Sequence, residues 1–297
     1  EPLAWHDVGP KLRDSIQAAG SVDPSSVRFL VSAHAATEEL FVLKNVVVGL
    51  LGNDGVSAVA VTWKNSPKSQ PAGAKFIVPS TDAPNVNGAR DVGFEVGQGN
   101  GHDADISALR TAITSGRVKA LYVVDPGPDG SLGDVSWIVS ARQNGALPLL
   151  IVQGVVMSAL AAAADIVLPG AAWVEKDAIY TNDQGKVQGA SRAIAPPGEA
   201  VEDWQILATL GRLLGLSLPY QTAGDVRRAI AEALPAAYSG ADKVPFMRPG
   251  PARNWLQASN PSERWKWDFL YQDLPPVKGH NVQMEGVPVY IPLKPVG

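Results

Sequence analysis

Glu175 and Asp177 flank Lys176 in a stretch that reads ADIVLPGAAWVEKDAIYTNDQGKVQGASRAIAPPGEAVEDW from Ala164 to Trp204. Two carboxyls so close suit a general acid and base. The same Glu-Lys-Asp run suits the anchoring of a loop, and both roles stay open. Asp125, Asp129 and Asp134 follow an apolar run but lack the spacing of a calcium loop, so they read as solvated turn residues. His34 precedes Glu38 and Glu39, yet no second histidine follows at helical spacing. HAATEE is therefore no zinc motif and reads as a helix start. Gly97, Gly99 and Gly101 form G-x-G-x-G with no strand running into them, which reads as a surface loop rather than a phosphate cradle. There is no G-x-S-x-G elbow, and His6, His34, His102 and His280 have no evident triad partners. These residues name no catalytic group and no metal site.

The elements that must position them alternate. Val27 to Val31, Val59 to Trp63, Phe76 to Val78, Ala120 to Val124, Leu149 to Val152 and Ile166 to Leu168 are short apolar runs that read as buried strands. Helical spacing appears from Glu38 to Leu51, through Ile106, Leu109 and Ile113, and from Val135 to Asn144 with Gly145 closing it. A short Ala-rich helix is expected near 157–163. Strand–helix–strand repeats at this pitch predict a Rossmann-like, doubly wound, mostly parallel α/β sheet with helices on both faces. Pro169-Gly170 ends the last strand, and irregular backbone is expected to follow as far as Pro196-Pro197-Gly198. Asp203 is expected to cap the helix through Leu207, Leu210 and Leu214. A long ordered loop beyond a strand's carboxyl end is where open α/β sheets place ligand sites.

Two domains are expected: the α/β domain over 1–218, then a helical segment and an extended tail over 219–297. Val226, Ile230, Ala233 and Leu234 mark the helix, which Pro235 should stop. The tail holds Phe246, Trp255, Trp265, Trp267, Phe269, Tyr271 and Tyr290 among prolines, with Arg248, Arg253 and Arg264 interspersed. Disorder avoids tryptophan, so these aromatics are expected to bury against the domain itself (255–271) or against a neighbouring subunit (275–297).

Composition excludes several classes. A net charge of −4 offers no basic field for nucleic acid or an anionic membrane surface. No apolar run approaches the ~20 residues of a membrane span, so direct membrane insertion is not expected. With no cysteine, the chain has no thiolate for an iron–sulfur cluster or zinc, no disulfide and no thiol nucleophile. A sequence starting at Glu1 rather than methionine is expected to be an excised piece.

The 164–210 block resembles the molybdopterin-oxidoreductase stretch ADxVLPxxxxxEKxGxxxNxEGRxQ…RAVxPPGEAxxDWxIL. KALYVVD resembles the strand that in this family leads into a Gly-x-Asn-Pro turn, and VSAHAATEEL is similar to its strand–turn–helix. LGLSLPYQTAGDVRRAIAEALP at 215–235 and DAPNVNGARDVG at 82–93 narrow the resemblance to the large iron–sulfur subunit of NADH:quinone oxidoreductase, respiratory complex I. Asp125-Pro126-Gly127-Pro128 replaces the Gly-x-Asn-Pro turn, Ala178 replaces a glycine, and Gln184 and Lys186 replace Glu and Arg of the EGR triplet. Lysine lacks the bidentate fork that suits phosphate.

The resemblance thus implies a cofactor-free structural domain, non-catalytic by itself, within a complex that passes electrons from NADH to quinone. Its iron–sulfur clusters are expected in an amino-terminal region of the parent subunit. Its partners would be the other peripheral-arm subunits, on the cytoplasmic face of a bacterial inner membrane. The alternative is a fragment of a molybdopterin-dependent oxidoreductase, in which Glu175, Asn182, Gln184 and Lys186 would touch the pterin.

Overall fold

β-Branched and leucine-rich runs pair into one parallel sheet of β1 (Val27–Ser32), β2 (Val59–Thr62), β3 (Ala120–Asp125), β4 (Leu149–Gly154) and β5 (Ile166–Pro169). The order across the sheet is β2-β1-β3-β4-β5. The structure, a computed structural model, describes residues 5–18, 23–66, 68–70, 72–73, 81–96, 102–183 and 185–241. Strand candidate 76–78, the glycines at 97, 99 and 101, Gln184 and the tail 244–297 lie outside the described residues.

Side chains alternate across a strand, so each face of this sheet needs its own cover. Phe29, Val31, Tyr122, Val124, Leu149 and Ile151 form one core with α2 (Thr37–Leu51), α7 (Asp203–Leu213) and α8 (Ala223–Ala233). Val8 and Leu12 of α1 (Trp5–Ala18), and Ala89 and Val92 of α3 (Val86–Val92), join this core. Leu30, Leu121, Val123, Leu150 and Val152 form the other, with α4 (His102–Thr114), α5 (Ser136–Gln143) and α6 (Ala159–Ala162). The fold is the expected doubly wound α/β sheet. Gly145 follows α5 at φ 80°, where a Cβ would be strained.

Three expectations change, and one holds with an addition. The excursion after Pro169-Gly170 is not irregular throughout, because β6 (Ala178–Thr181) and β7 (Val187–Ala190) pair as an antiparallel hairpin. Each strand is only four residues long, too short for its pattern to stand out in the sequence. Asp203 does not cap α7, for Glu202 stands at the cap and Asp203 begins the helix with its carboxylate turned inward. Pro235 does stop α8, but it also opens the short helix α9 (Pro235–Tyr238), where a missing N–H costs nothing. Finally, the chain beyond 218 stays in the body as far as the described residues run. Val226, Ile230 and Tyr238 are buried in the same core as α2, within a compact unit Glu1–Phe246. The second unit, Met247–Gly297, lies outside the described residues.

Candidate functional site

Neighbouring strands whose following helices go to opposite faces leave a crevice at their carboxyl ends. Here β1 leads to α2 on one face and β3 leads to α5 on the other, while the two strands pair from Val27↔Ala120 to Val31↔Val124. The polar residues ending the apolar runs therefore converge: Ser32 of β1, Asp125 of β3, and Gln153 near the end of β4.

A row of hydrogen bonds crosses the crevice. Ser131 Oγ donates to Asp125 Oδ1, Ser131 Oγ lies 3.3 Å from Ser32 Oγ, and Ser32 Oγ lies 3.2 Å from His34 Nδ1. Both serines are buried, whereas Asp125 and His34 are half-buried. Burial raises the Asp125 pKa to about 6, aided by Asp203 and Asp129 and opposed by its bonds to Ser131 and the Gly127 N–H. Burial also lowers the pKa of His34, opposed by Asp82. Asp125 is therefore not the solvated turn residue expected, whereas Asp129 and Asp134 are exposed.

A second network lies beside it. Lys176 is 1% exposed, and its Nζ sits 2.5 Å from Glu39 Oε1 and 2.9 Å from Asp203 Oδ2. Glu39 Oε2 accepts from the Ala36 N–H in the first turn of α2. Asp203 Oδ1 accepts from Gln153 Nε2, and Gln153 Oε1 accepts from the Tyr122 hydroxyl at 2.6 Å. Burial acts to lower the pKa of Lys176, but Asp203 and Glu39 outweigh it and hold the ammonium charged. Burial raises Glu39 to about 7, with Lys176 pulling down and Asp203 pushing up. Two carboxylates around one ammonium leave an excess negative charge in a dry site, so the cluster holds a proton near neutrality. Glu38, also buried, accepts from Arg227 Nε at 2.9 Å and from the Ile179 N–H.

The sequence-predicted residues divide. Glu175 accepts from the Ala172 N–H at 2.8 Å, while Asp177 accepts from the Arg192 N–H and lies 3.7 Å from Arg227. Both carboxyls fasten the loop's own backbone. Asn182 folds the turn between β6 and β7, its Oδ1 accepting from the Lys186 N–H at 2.9 Å. Lys186 is exposed, and Gln184 lies outside the described residues. Glu38 and Glu39 start α2 as expected, but as buried ionic anchors. Ser32, Ser131, Tyr122 and Gln153 were missed as site residues, because the contacts Ser32–Ser131, Tyr122–Gln153 and Gln153–Asp203 span 99, 31 and 50 residues of sequence. The available signal was the polar residue closing each apolar strand.

Residues 33–213, over half the chain and spanning nearly all of these groups, match the model of the molybdopterin oxidoreductase family. The chain belongs to that family. It is 36% identical over 126 residues to the F420-dependent formate dehydrogenase 1 subunit alpha of Methanococcus maripaludis, covering 42% of this chain and 18% of that protein. The F420-dependent formate dehydrogenase subunit alpha of Methanocaldococcus jannaschii is 37% identical over 120 residues, 40% of this chain and 18% of its own length. The mitochondrial NADH-ubiquinone oxidoreductase 78 kDa subunit of Candida albicans is 43% identical over 72 residues, 24% of this chain and 10% of that protein. The matches thus span less than a fifth of these relatives' lengths.

Proposed function

We propose that this chain is a cofactor-free structural domain of the large iron–sulfur subunit of NADH:quinone oxidoreductase. The observation that carries this reading is the engagement of Glu175, Lys176 and Asn182 of the 173–186 loop within the fold. Glu175 and Asn182 serve the loop's own backbone, and Lys176 is spent on Glu39 and Asp203. The Ser131 and His34 side chains crowd the β1/β3 crevice against Gly127. Side chains already engaged in this way are poor contacts for a pterin cofactor. The likeness to the NADH-ubiquinone oxidoreductase 78 kDa subunit supports the same reading.

The redox centres would then lie in other parts of the parent subunit, and this chain would contribute surface. Trp173 and Ile194 are 67% and 56% exposed, and the backbone N–H of Ile194 bonds Val174 O beside Trp173. Large apolar side chains presented together suit a neighbouring peripheral-arm subunit. Among the described residues no helix is long and apolar enough to cross a membrane. In this reading the chain attaches to the cytoplasmic face of a bacterial inner membrane through its partners.

The longer matches to formate dehydrogenase alpha subunits favour a second reading, a fragment of a molybdopterin-dependent oxidoreductase in which the 173–186 loop touches the pterin. Elemental analysis and pterin fluorescence after oxidation, both on the purified chain, separate the two. The structural reading expects neither molybdenum nor tungsten and no pterin signal. Stoichiometric pterin would establish the second reading.

A further inference from the structure

We propose that Asp125, Ser131, Ser32 and His34 form a proton-exchange row at the β1/β3 crevice, passing one proton between the Asp125 carboxyl and the His34 imidazole through two buried hydroxyls. Three consecutive contacts join four groups that can each give or take a hydrogen: Asp125–Ser131, Ser131–Ser32 at 3.3 Å and Ser32–His34 at 3.2 Å. The groups come from two strand ends and the two loops that follow them. A Cβ on Gly127 would stand 2.6 Å from Ser131 Oγ and 2.9 Å from His34 Cγ. Only glycine lets these side chains meet over the turn.

The exchange balances link by link. It starts with Asp125 ionised and His34 protonated on both nitrogens. Ser131 then donates to Asp125, Ser32 to Ser131 and His34 Nδ1 to Ser32. Moving one hydrogen along each link gives the Ser131 proton to Asp125, the Ser32 proton to Ser131 and the Nδ1 proton to Ser32. Asp125 becomes a neutral acid, His34 a neutral imidazole carrying Nε2–H, and both serines remain hydroxyls. Nothing is oxidised and no other group leaves.

Burial moves the two ends toward each other, raising the Asp125 pKa to about 6 and lowering that of His34 from its ordinary value. The charged groups facing Asp125 are Asp203 from α7 and Asp129 from its own loop. His34 faces Asp82, beside which stand Lys64 and Lys68. A polar group that reaches the crevice mouth and alters the charge of His34 is therefore felt at Asp125, next to Asp203 of the buried cluster. The row suits a ligand or partner group that binds with uptake or release of one proton.

The test follows the Asp125 carboxyl carbon and the His34 ring nitrogens by NMR across pH in the selectively labelled full chain. The expected result is two mutually dependent, two-step titrations in the unmodified chain. S131A should separate them into two single-step curves, because it breaks the row and leaves both charges in place. S32A, which breaks the next link, should do the same. Mutual dependence that survives S131A or S32A undiminished would assign the effect to through-space charge and overturn the proposal. Independent curves in the unmodified chain would overturn it without recourse to either variant.

Discussion

Lys176 is the residue on which most of this fold's buried charge turns. It joins the first turn of α2, through Glu39, to the first turn of α7, through Asp203, and so pins the excursion between β5 and β6 onto the sheet. Buried ion pairs contribute little relative to a well-packed apolar substitute, but the removal of one partner strands the others. Lys176→Met keeps the length of the side chain and leaves two carboxyls facing each other. It should cost about 3–5 kcal/mol in a denaturant melt. Adding Asp203→Asn should recover part of that loss, since the repulsion disappears with the second charge. A loss within experimental error for Lys176→Met would show that the cluster is not an anchor.

At the scale of elements, the hairpin β6–β7 is flanked by segments that present Trp173 and Ile194 to solvent. Their side chains have little to contribute to the isolated fold. The double substitution Trp173→Ala with Ile194→Ala should therefore move stability by under about 0.5 kcal/mol, while weakening assembly with a neighbouring subunit. A large drop in melting temperature would instead make this surface part of the core. The strands were legible because a sheet covered on both faces leaves runs such as Leu121-Tyr122-Val123-Val124 no alternation to hide in. The helices α2 and α5 were legible from their periodicity and, for α5, from Gly145. The hairpin was not, because its two strands are only four residues each and Gly189 interrupts the second. Its position depends on distant groups, with Glu38 and Asn85 accepting the N–H groups of Ile179 and Thr181. The crevice was invisible for the same reason. Ser32 and Ser131 meet only after β1 and β3 pair, and nothing local at either serine records that meeting.

The whole molecule carries an unusual proton balance. Glu39 is raised from 4.5 to about 7 and Asp125 from 3.8 to about 6, and burial also raises Glu38 and Glu202. A carboxyl that binds its proton more tightly when folded favours folding at low pH. That stability is complete below the unfolded value and is lost as pH rises through the folded value. His34, lowered by burial, and Asp23, Asp82, Asp134 and Asp225, lowered by their hydrogen bonds, act in the opposite sense as pH falls. The melting temperature should therefore decline from about pH 5 to about pH 8, and Glu39→Gln, which keeps the shape and removes the titration, should flatten the decline. A rise across that range in calorimetry would show that the buried carboxyls do not hold their protons more tightly in the folded chain.

Membership of a quinone-reducing complex, without a pterin of the chain's own, is open to affinity isolation from the cells that make the parent protein. A tag on that protein should bring down NADH:quinone oxidoreductase peripheral-arm subunits, identified by mass spectrometry, with iron in the preparation and no molybdenum, tungsten or pterin. Recovery instead with a molybdenum or tungsten enzyme, pterin present in proportion to the tagged chain, would contradict that membership.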